Sequence, residues 1–394
     1  MTNTTDILCV CERALDWARE QNYTGWEKHD ALNSPMLRVL SLGRKWPRIF
    51  LTQGIMRAPV NIRPLLGVRK HRNPKGAALF ARAYLNLYRL TGNERYRDEA
   101  KLILQWLLDN PAKGFTGLSW GYPYPWQDLG FYAPPGFPNR IVTYFVGRAL
   151  IHAWEVLDDR KYLDAAQRAV EFVLKEPKIL YEDDSMKCLS YVPSPDISMA
   201  VMDVPALCGA LCAMVGKHTG RQDLGDEAFR LINWVADKQS DYGAWFYTDP
   251  PDDSHITHDN YHTGEIVDSI LEYEQYSGDT GFQDTYQTGL GYYRENLFTS
   301  EARPKWMNDR EYPHDIHGYS QGIITFTMAG DLVFAGRVAN AAIEDMWNER
   351  DGRFYYQKRR NQTLNYTPMR WAQGWMSYAL SSLALAQTER RAAP

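Results

Sequence analysis

The chain has 394 residues, of which 44% are hydrophobic and 23% charged, and these values exclude a disordered or fibrous protein. Its formal net charge of −4 gives no support to nucleic-acid binding. The five cysteines are odd in number and widely scattered, which argues against a disulfide framework. Aromatic residues reach 13%, with 13 Trp and 25 Tyr, and such rings suit a site that stacks on sugars.

The N-terminal stretch MTNTTDILCVCERALDWAREQN carries charges where the apolar part of a signal peptide would lie. It therefore predicts an amphipathic helix near 6–21. The longest apolar stretch, 197–216, is interrupted by Asp203 and Pro205 and does not suit a membrane span. We expect a cytoplasmic protein without a transmembrane segment.

One sequence motif occurs four times: a turn, then an aromatic or leucine residue, then the acidic start of a helix. The copies are TGNERYRDEAKLILQWLL from 91, LDDRKYLDAAQRAVEFVL from 157, TGRQDLGDEAFRLINWVA from 219 and SGDTGFQDTYQTGLGYYR from 277. A more apolar helix precedes each copy, and two more follow at HDIHGYSQGIITFTMAG and TPMRWAQGWMSYALSSLAL. Apolar helices belong inside a fold, and charged helices with one apolar stripe belong outside. With the N-terminal helix the pattern gives six inner and six outer helices, and it predicts an all-α fold, an (α/α)6 toroid, as a single domain over 1–394.

Two kinds of segment interrupt this helical pattern. Residues 23–72 do not fit the repeat, and we expect this excursion to fold over the mouth or the side of the ring. The loops at 117–128, 187–196 and 243–253 alternate aromatic and polar residues, which predicts short β-hairpins at the mouth. Their candidate sugar contacts, for which packing between hairpin and helix is the alternative, are Trp120, Tyr122, Trp126, Gln127 and Trp245.

Inner helices that run parallel bring their N-termini to one mouth, where free N–H groups favour an anionic ligand. Two of the junctions entering these helices, HITHDNYHTGEIVDSI and PHDIHG, hold five of the nine histidines. His258 and His262 have the i, i+4 spacing that can bind zinc, but the glutamate of the metalloprotease pattern is missing. Acid–base catalysis and helix capping account for histidines at these positions without a bound ion, so we assign neither a metal nor a cofactor.

Other polar residues of the inner-helix starts are candidates for binding. Tyr261, Glu265 and Asp268 share one face of the fourth inner helix, and Asp259 and Asp315 stand where helix caps belong. Arginine binds carboxylates through two hydrogen bonds, so an arginine here suits a uronate, a ring-closing salt bridge being the alternative. The predicted substrate contacts in this group are Arg140, Asn260, His314, Asp315, Gln321, Arg370 and Trp371.

The motifs WGYPYPWQ, SYVPSP, GAWFYTD and DNYHTGEI resemble the catalytic toroid of D-glucuronyl C5-epimerases and its prokaryotic relatives, loosely over 73–300. The motifs GWEKHDALNS, YPHDIH and RWAQGW extend the resemblance to most of the chain. It implies that a base removes the C5 proton of a uronate and an acid returns one on the opposite face, with Tyr247 and Tyr261 in these roles. Tyr191 would match a third tyrosine that the family pairs with a preceding glutamate, but here Ser190 precedes it.

The sequence therefore predicts a uronate C5-epimerase-like enzyme that acts on a glycan or glycoconjugate, with His258, His262 and His317 beside the tyrosines. A glycoside hydrolase or uronate lyase on the same toroid is one alternative. A hydrolase would use paired carboxylates, the candidates being Asp196, Asp203, Asp259 and Asp315. A non-catalytic glycan-binding toroid is the other alternative. The oligomeric state is left open, with a homodimer as one option.

Overall fold

The computed structural model describes residues 4–392, which form mainly α-helices with short strands between them. The helices are α1 Thr4–Glu20, α2 Pro35–Leu40, α3 Lys45–Arg57, α4 Pro74–Thr91, α5 Glu94–Asp109, α6 Arg140–Leu157, α7 Arg160–Lys175, α8 Asp203–Thr219, α9 Gln222–Asp237, α10 Asn260–Ser277, α11 Gln283–Asn296, α12 Ile316–Met328, α13 Leu332–Met346 and α14 Trp375–Ala392. A π-helical turn, Met369–Gly374, leads directly into α14.

The ring is closed by helix packing. Helices α4, α6, α8, α10, α12 and α14 each pack against the next, and α14 packs back against α4. Outside them, α5, α7, α9, α11 and α13 each pack on the inner helix that precedes them, while α1 packs on α14. This arrangement confirms the predicted (α/α)6 toroid. Within residues 4–392, no helix is long and apolar enough to cross a membrane.

The recurring turn of the repeat is the end of an inner helix. Gly92, Gly220 and Gly278 end α4, α8 and α10 in the left-handed conformation, with φ of 68°, 69° and 78°. Glycine adopts this conformation without a steric cost, which is why the repeated phrase opens on a glycine. Asp158, at φ 53°, takes the same position after α6.

The short strands lie in the loops that enter the inner helices and in the segment before α4. They are β1 Thr24–Gly25, β2 His71–Arg72, β3 Trp126–Gln127, β4 Tyr132–Ala133, β5 Ile179–Glu182, β6 Lys187–Leu189, β7 Ala200–Val201, β8 Thr248–Asp249, β9 His314–Asp315, β10 Trp347–Asn348, β11 Arg353–Phe354, β12 Gln357–Arg359 and β13 Gln362–Leu364. The pairs β3–β4, β5–β6, β10–β11 and β12–β13 are antiparallel, and the first two overlap the loops 117–128 and 187–196 that were expected to form hairpins. Strand β8 instead pairs with β7, so it ties the loop before α10 to the loop before α8.

The segment between α1 and α4 is built on its own small core. Strands β1 and β2 pair at its two ends, and Ala31, Leu37, Ile55 and Val68 pack together between them. The segment is fixed to the ring where the Met369 N–H donates to the Trp26 carbonyl oxygen over 2.9 Å. Its helix α3 therefore lies beside the N-terminal ends of the inner helices.

Close packing between α10 and α12 depends on Gly264, where an added Cβ would lie 2.5 Å from Gln321 Cγ and 2.9 Å from Tyr293 Oη. We expect Gly264→Ala to lower the free energy of unfolding by about 1–3 kcal/mol, because the two helices cannot separate without losing packing. Denaturant unfolding measures the change.

Gly291 in α11 is the matched control, since no atom lies within 4 Å of an added Cβ there. Gly291→Ala should stabilise the protein by about 0.5–1 kcal/mol through helix propensity alone. Equal effects of the two substitutions would contradict the close approach of α10 and α12.

Candidate active site

A cavity of about 430 Å³ opens at the N-terminal ends of the inner helices. Every inner helix or its first turn supplies at least one side chain to its wall: Lys75 from α4, Ile141 from α6, Asp203 from α8, Tyr261, His262 and Glu265 from α10, His317 from α12, and Arg370 and Trp371 from the π-helical turn. Loops and the segment before α4 complete the wall with Lys28, Phe50, Arg57, Tyr122, Tyr124, Trp126, Gln127, Asp128, Tyr191, Tyr247, His255 and Trp306, among others.

His262 is held by a carboxylate. Its Nδ1 lies 2.7 Å from Asp259 Oδ2, and Asp259 is buried. Burial opposes a charge on the imidazole, but the charge and hydrogen bond of Asp259, together with the charges of Asp203 and Glu265, raise the pKa of His262. The Asp259 carboxylate makes no capping bond to α10, unlike Asp315, which accepts the His317 N–H at the start of α12. The expected cap at Asp259 is therefore wrong, because this carboxylate is bound to the imidazole instead.

Two tyrosine rings flank His262. The centroid of its ring lies 4.5 Å from that of Tyr247 and 4.2 Å from that of Tyr261. With Nδ1 bound to Asp259, Nε2 is the nitrogen left for a proton transfer. Because His262 lines the cavity, this nitrogen is available to a ligand there.

His317 is buried and stays neutral. Its ring stacks on Tyr261 with centroids 4.5 Å apart, and Trp371 and Trp375 lie at 4.6 and 4.3 Å. Burial, and then the charges of Lys75 and Arg370, hold its pKa well below the ordinary value of 6.5. Among the described residues neither ring nitrogen has a hydrogen-bond partner, although both are buried. Since His317 lines the cavity, either ring nitrogen is available to a ligand there.

Two buried lysines bring positive charge into the cavity. Lys28 Nζ lies 3.9 Å from the centroid of the Trp371 ring and 3.8 Å from Asp315 Oδ2. Lys75 Nζ lies 3.5 Å from Glu265 Oε1 and 3.7 Å from the Phe145 ring centroid. Burial lowers the pKa of each lysine to about 8, so both remain mostly protonated at pH 7.

Arg370 is positioned by a second buried carboxylate. Its backbone N–H donates to Glu27 Oε1 over 3.0 Å, and its Nε lies 3.3 Å from Glu27 Oε2. The absence of a Cβ at Gly76 lets α4 approach this arginine, since an added Cβ would lie 3.0 Å from Arg370 Cβ. The π-helical turn thus presents Arg370 and Trp371 to the cavity, and such turns often occur at functional sites.

The three tyrosines predicted for catalysis all line this cavity. Burial raises the pKa of Tyr191, Tyr247 and Tyr261 well above 10. Their hydroxyl groups are therefore un-ionised and act as proton and hydrogen-bond donors. Ser190, which stands where the resembled family has glutamate, donates its hydroxyl to the Val192 carbonyl oxygen over 2.9 Å and does not contact Tyr191 through its side chain.

Asp203 is a carboxyl group of the cavity wall whose pKa is raised. It is buried at the start of α8, its Oδ1 has no hydrogen-bond partner among residues 4–392, and burial raises its pKa to about 7. A carboxyl group with this pKa is shared between acid and base forms at neutral pH, which suits general acid–base catalysis.

Several predicted contacts do not line the cavity, because their polar atoms bind backbone in the loops and ring. The Trp120 and Trp245 indole N–H groups donate to the Leu107 and Val235 carbonyl oxygens over 2.9 and 2.8 Å. Arg140 donates to the carbonyl oxygens of Val173 and Ser190. For the two tryptophans this is the packing alternative. Arg140 forms neither a substrate contact nor the ring-closing salt bridge, because its guanidinium binds backbone carbonyl oxygens.

The remaining predicted residues lie just behind the wall. His258 Nδ1 is 2.7 Å from the Trp245 carbonyl oxygen, and His314 Nδ1 is 2.7 Å from that of Pro304. Asn260 and Gln321 bond to neighbouring helices and loops, as in the 2.7 Å bond from Gln321 Nε2 to Asp268. Asp315 accepts the Trp371 indole N–H over 2.7 Å and so orients a ring that does line the cavity.

The sequence indicates Arg370 and several aromatic residues of the wall but not its two lysines. Lys28 and Lys75 were not singled out, although GWEKHDALNS and NPKG contain them and Lys75 follows the helix cap Asn73. Lys75 is the second residue of an inner helix, and this position indicates that it lies at the mouth of the ring. Within residues 4–392 no group of three or more His, Cys, Asp or Glu side chains is arranged to hold a metal ion.

A second cavity of about 350 Å³ adjoins the first and shares Lys28, Met56, Arg57 and Trp306 with it. Its other lining side chains, as far as the structure describes the chain, include no carboxylate: Arg310, Tyr312, Pro313, Tyr356, Gln357 and Arg359. The Arg359 guanidinium donates to the Arg57 carbonyl oxygen over 3.1 Å, which joins β12 to the end of α3. The second cavity, which shares four lining residues with the first, is here called the cationic extension.

No protein-family model and no curated protein sequence matches the chain. Solved structures do match. The GH76 α-mannanase from Bacteroides thetaiotaomicron is 14% identical, with 81% of this chain and 88% of that chain covered, at a TM-score of 0.63. Cellobiose 2-epimerase from Bacillus thermoamylovorans is 12% identical, with 82% of this chain and 90% of that chain covered, at a TM-score of 0.61. An unsaturated glucuronyl hydrolase specific for heparin is 12% identical, with 95% of this chain and 98% of that chain covered, at a TM-score of 0.58. At these identities the likeness shows the toroid fold.

The pair of His262 and Asp259 makes a direct prediction. Asp259→Asn keeps a polar group beside Nδ1 but removes the negative charge, so the pKa of His262 should fall. Titration of the imidazole signals by NMR, with His262→Gln to assign the resonance, measures this change. Asp252→Asn, an exposed carboxylate in the loop before α10, is the control and should leave the titration unchanged. An unaltered His262 titration in Asp259→Asn would contradict the pairing.

Proposed function

We propose that the protein is a carbohydrate-active enzyme of the uronate C5-epimerase type, which removes and returns the C5 proton of a uronate within a glycan. The observation that carries the proposal is the convergence of Tyr191, Tyr247, Tyr261, His262 and His317 with buried cations in one cavity. The sugar-active enzymes named among the structural neighbours support the choice of substrate class.

The cations suit a uronate carboxylate. Removing the proton alpha to a carboxylate places a second negative charge on its oxygens, so a site for this reaction needs fixed positive groups there. Lys28, Lys75 and Arg370 supply them in a buried setting where their electrostatic effect is strong. The cationic extension beside Arg57, Arg310 and Arg359 suits a further acidic group of the same glycan.

The proton transfers follow from the protonation states. Asp259 raises the pKa of His262 and so makes this imidazole a stronger base than a free histidine. The Asp259 carboxylate would also stabilise the imidazolium that forms when His262 takes the C5 proton. The un-ionised tyrosines are donors, so we assign Tyr261 and Tyr247 to the return of a proton and to hydrogen bonds with the substrate. This differs from the resemblance in giving the basic role to histidine.

Incubation with glucuronate-containing oligosaccharides in D₂O tests the epimerase. We expect deuterium to enter C5 and a second C5 isomer to appear in NMR spectra. His262→Gln and Tyr261→Phe should each slow the exchange by about 10²–10⁴, the contribution of one proton-transfer group. Tyr242→Phe is the matched control, because this half-exposed tyrosine bonds to His258 and does not line the cavity.

Full exchange in both variants would contradict the residue assignment. Absence of exchange, of isomer and of cleavage, together with binding of the same oligosaccharides, would favour the glycan-binding toroid.

A glycoside hydrolase is the second candidate, and Asp203 favours it. Its pKa of about 7, raised by burial, is that of a general acid, and Glu265 supplies another carboxylate in the cavity. Hydrolysis would release reducing ends, and its rate should fall as pH rises through about 7, because Asp203 must carry the proton. Asp203→Asn should abolish this release. Cleavage that persists in Asp203→Asn, or that increases above pH 7, would contradict this role.

A further inference from the structure

Apolar side chains are exposed in an unusual concentration on the segment between α1 and α4. Of the fifteen large hydrophobic residues that are exposed within the described chain, eight lie between positions 36 and 65. They are Met36, Val39, Leu40, Leu42, Trp46, Phe50, Val60 and Leu65, with exposed fractions of 47%, 74%, 57%, 71%, 57%, 70%, 61% and 85%. Exposed apolar groups gathered in this way mark an interaction surface rather than random exposure.

The geometry shows that these residues form a second apolar face rather than a failed core. In α2, Leu37 faces the small core while Val39 and Leu40 face solvent. In α3, Ile55 is buried whereas Trp46 and Phe50, one turn apart, are exposed with ring centroids 6.4 Å from each other. Helices α2 and α3 pack together, so their outer sides form one surface, here called the α2–α3 face.

The stretch that contains this face carries charge of one sign. Residues 31–70 contain eight Lys or Arg residues and no Asp or Glu, in a chain whose overall net charge is −4. Among the described residues, the basic residue of this stretch that forms an ion pair is Arg63, and both it and its partner Asp30 are buried. The other seven basic residues reach the surface: Arg38, Arg44, Lys45, Arg48, Arg57, Arg69 and Lys70. Lys45 Nζ lies 5.6 Å from the centroid of the Trp46 ring, so charge and aromatic surface are interleaved.

We propose that the α2–α3 face binds the surface of an anionic membrane. Exposed leucine, tryptophan and phenylalanine side chains would enter the acyl boundary, and the lysines and arginines would meet acidic headgroups. A second copy of this chain fits less well, because a two-fold interface would bring the same cations face to face. A soluble glycan is not suited to a face made of exposed aliphatic groups.

The face borders the candidate active site. Phe50 is 70% exposed and also lines the cavity, and Thr52, Met56 and Arg57 of α3 line it as well. A membrane bound there would lie beside the cavity entrance. If the proposed function holds, the acidic glycan would be reached while it is attached to a lipid, but membrane binding does not depend on that activity.

Co-sedimentation with vesicles tests the proposal. We expect the protein to bind vesicles of phosphatidylcholine with 30% phosphatidylglycerol and to bind pure phosphatidylcholine at least about tenfold more weakly, because each surface cation contributes to binding. Raising the salt concentration should release it. The double variant Leu42→Ser with Trp46→Ser should weaken binding to the anionic vesicles about tenfold or more, as its apolar contacts are lost.

Val333→Ser is the matched control, since Val333 is also 70% exposed but lies on α13. It should bind like the native protein. All the changed residues are exposed and outside the cavity, so circular dichroism should show a native fold in each variant.

Three results would overturn the proposal: no binding to either vesicle, equal binding to both, or unchanged binding by the double variant. Sedimentation velocity in the absence of lipid separates the rival occupant, because a dimer that the double variant converts to monomer, without vesicle binding, assigns the face to a second copy. The D₂O experiment is independent. Vesicle binding without deuterium exchange would leave this proposal standing and remove the epimerase.

Discussion

The structure depends on six inner helices that close into one ring and direct their N-termini into a single cavity. Closure of α14 against α4 brings the π-helical turn, with Arg370 and Trp371, beside the first turn of α4 and its Lys75. Residues almost three hundred positions apart in sequence therefore share one wall. The unpaired N–H groups of the helix ends favour anions at the same place. The ring thus fixes the position of the site before any particular side chain is considered.

Burying charge at that place has a cost that the protein meets with pairs. Lys75 lies against Glu265, Arg370 against Glu27 and His262 against Asp259, and each of these three basic groups has a carboxylate within 3.5 Å. The pairing does not fully offset the cost of burial, because burial still lowers the pKa of Lys75 to about 8. A cavity in this condition is complementary to a ligand that carries its own charge and hydroxyl groups.

The sequence predicts the ring well because the signal is periodic. Glycine turns and alternating inner and outer helices repeat at nearly constant spacing, and hydrophobic burial enforces the same pattern in space. It predicts the site less well because the direction of a side chain is a tertiary property. Trp120 and Trp126 lie in one aromatic loop, yet the indole of Trp120 is used to fasten the loop while Trp126 reaches the cavity. Lys28 lies in a segment outside the repeat, so no periodicity indicates where it points.

That segment joins the interior of the protein to its surface. Inward, it contributes Lys28 to the cavity and Glu27 to the buried pair with Arg370. Outward, the same stretch presents Trp46 and Phe50 among basic residues. A stretch used only to cover the mouth would gain nothing from exposing these rings, since exposed apolar groups oppose solubility. Two faces built on one small core agree with the two proposals, since the lysine proposed to contact an acidic sugar and the surface proposed to bind a membrane are then held at a fixed distance.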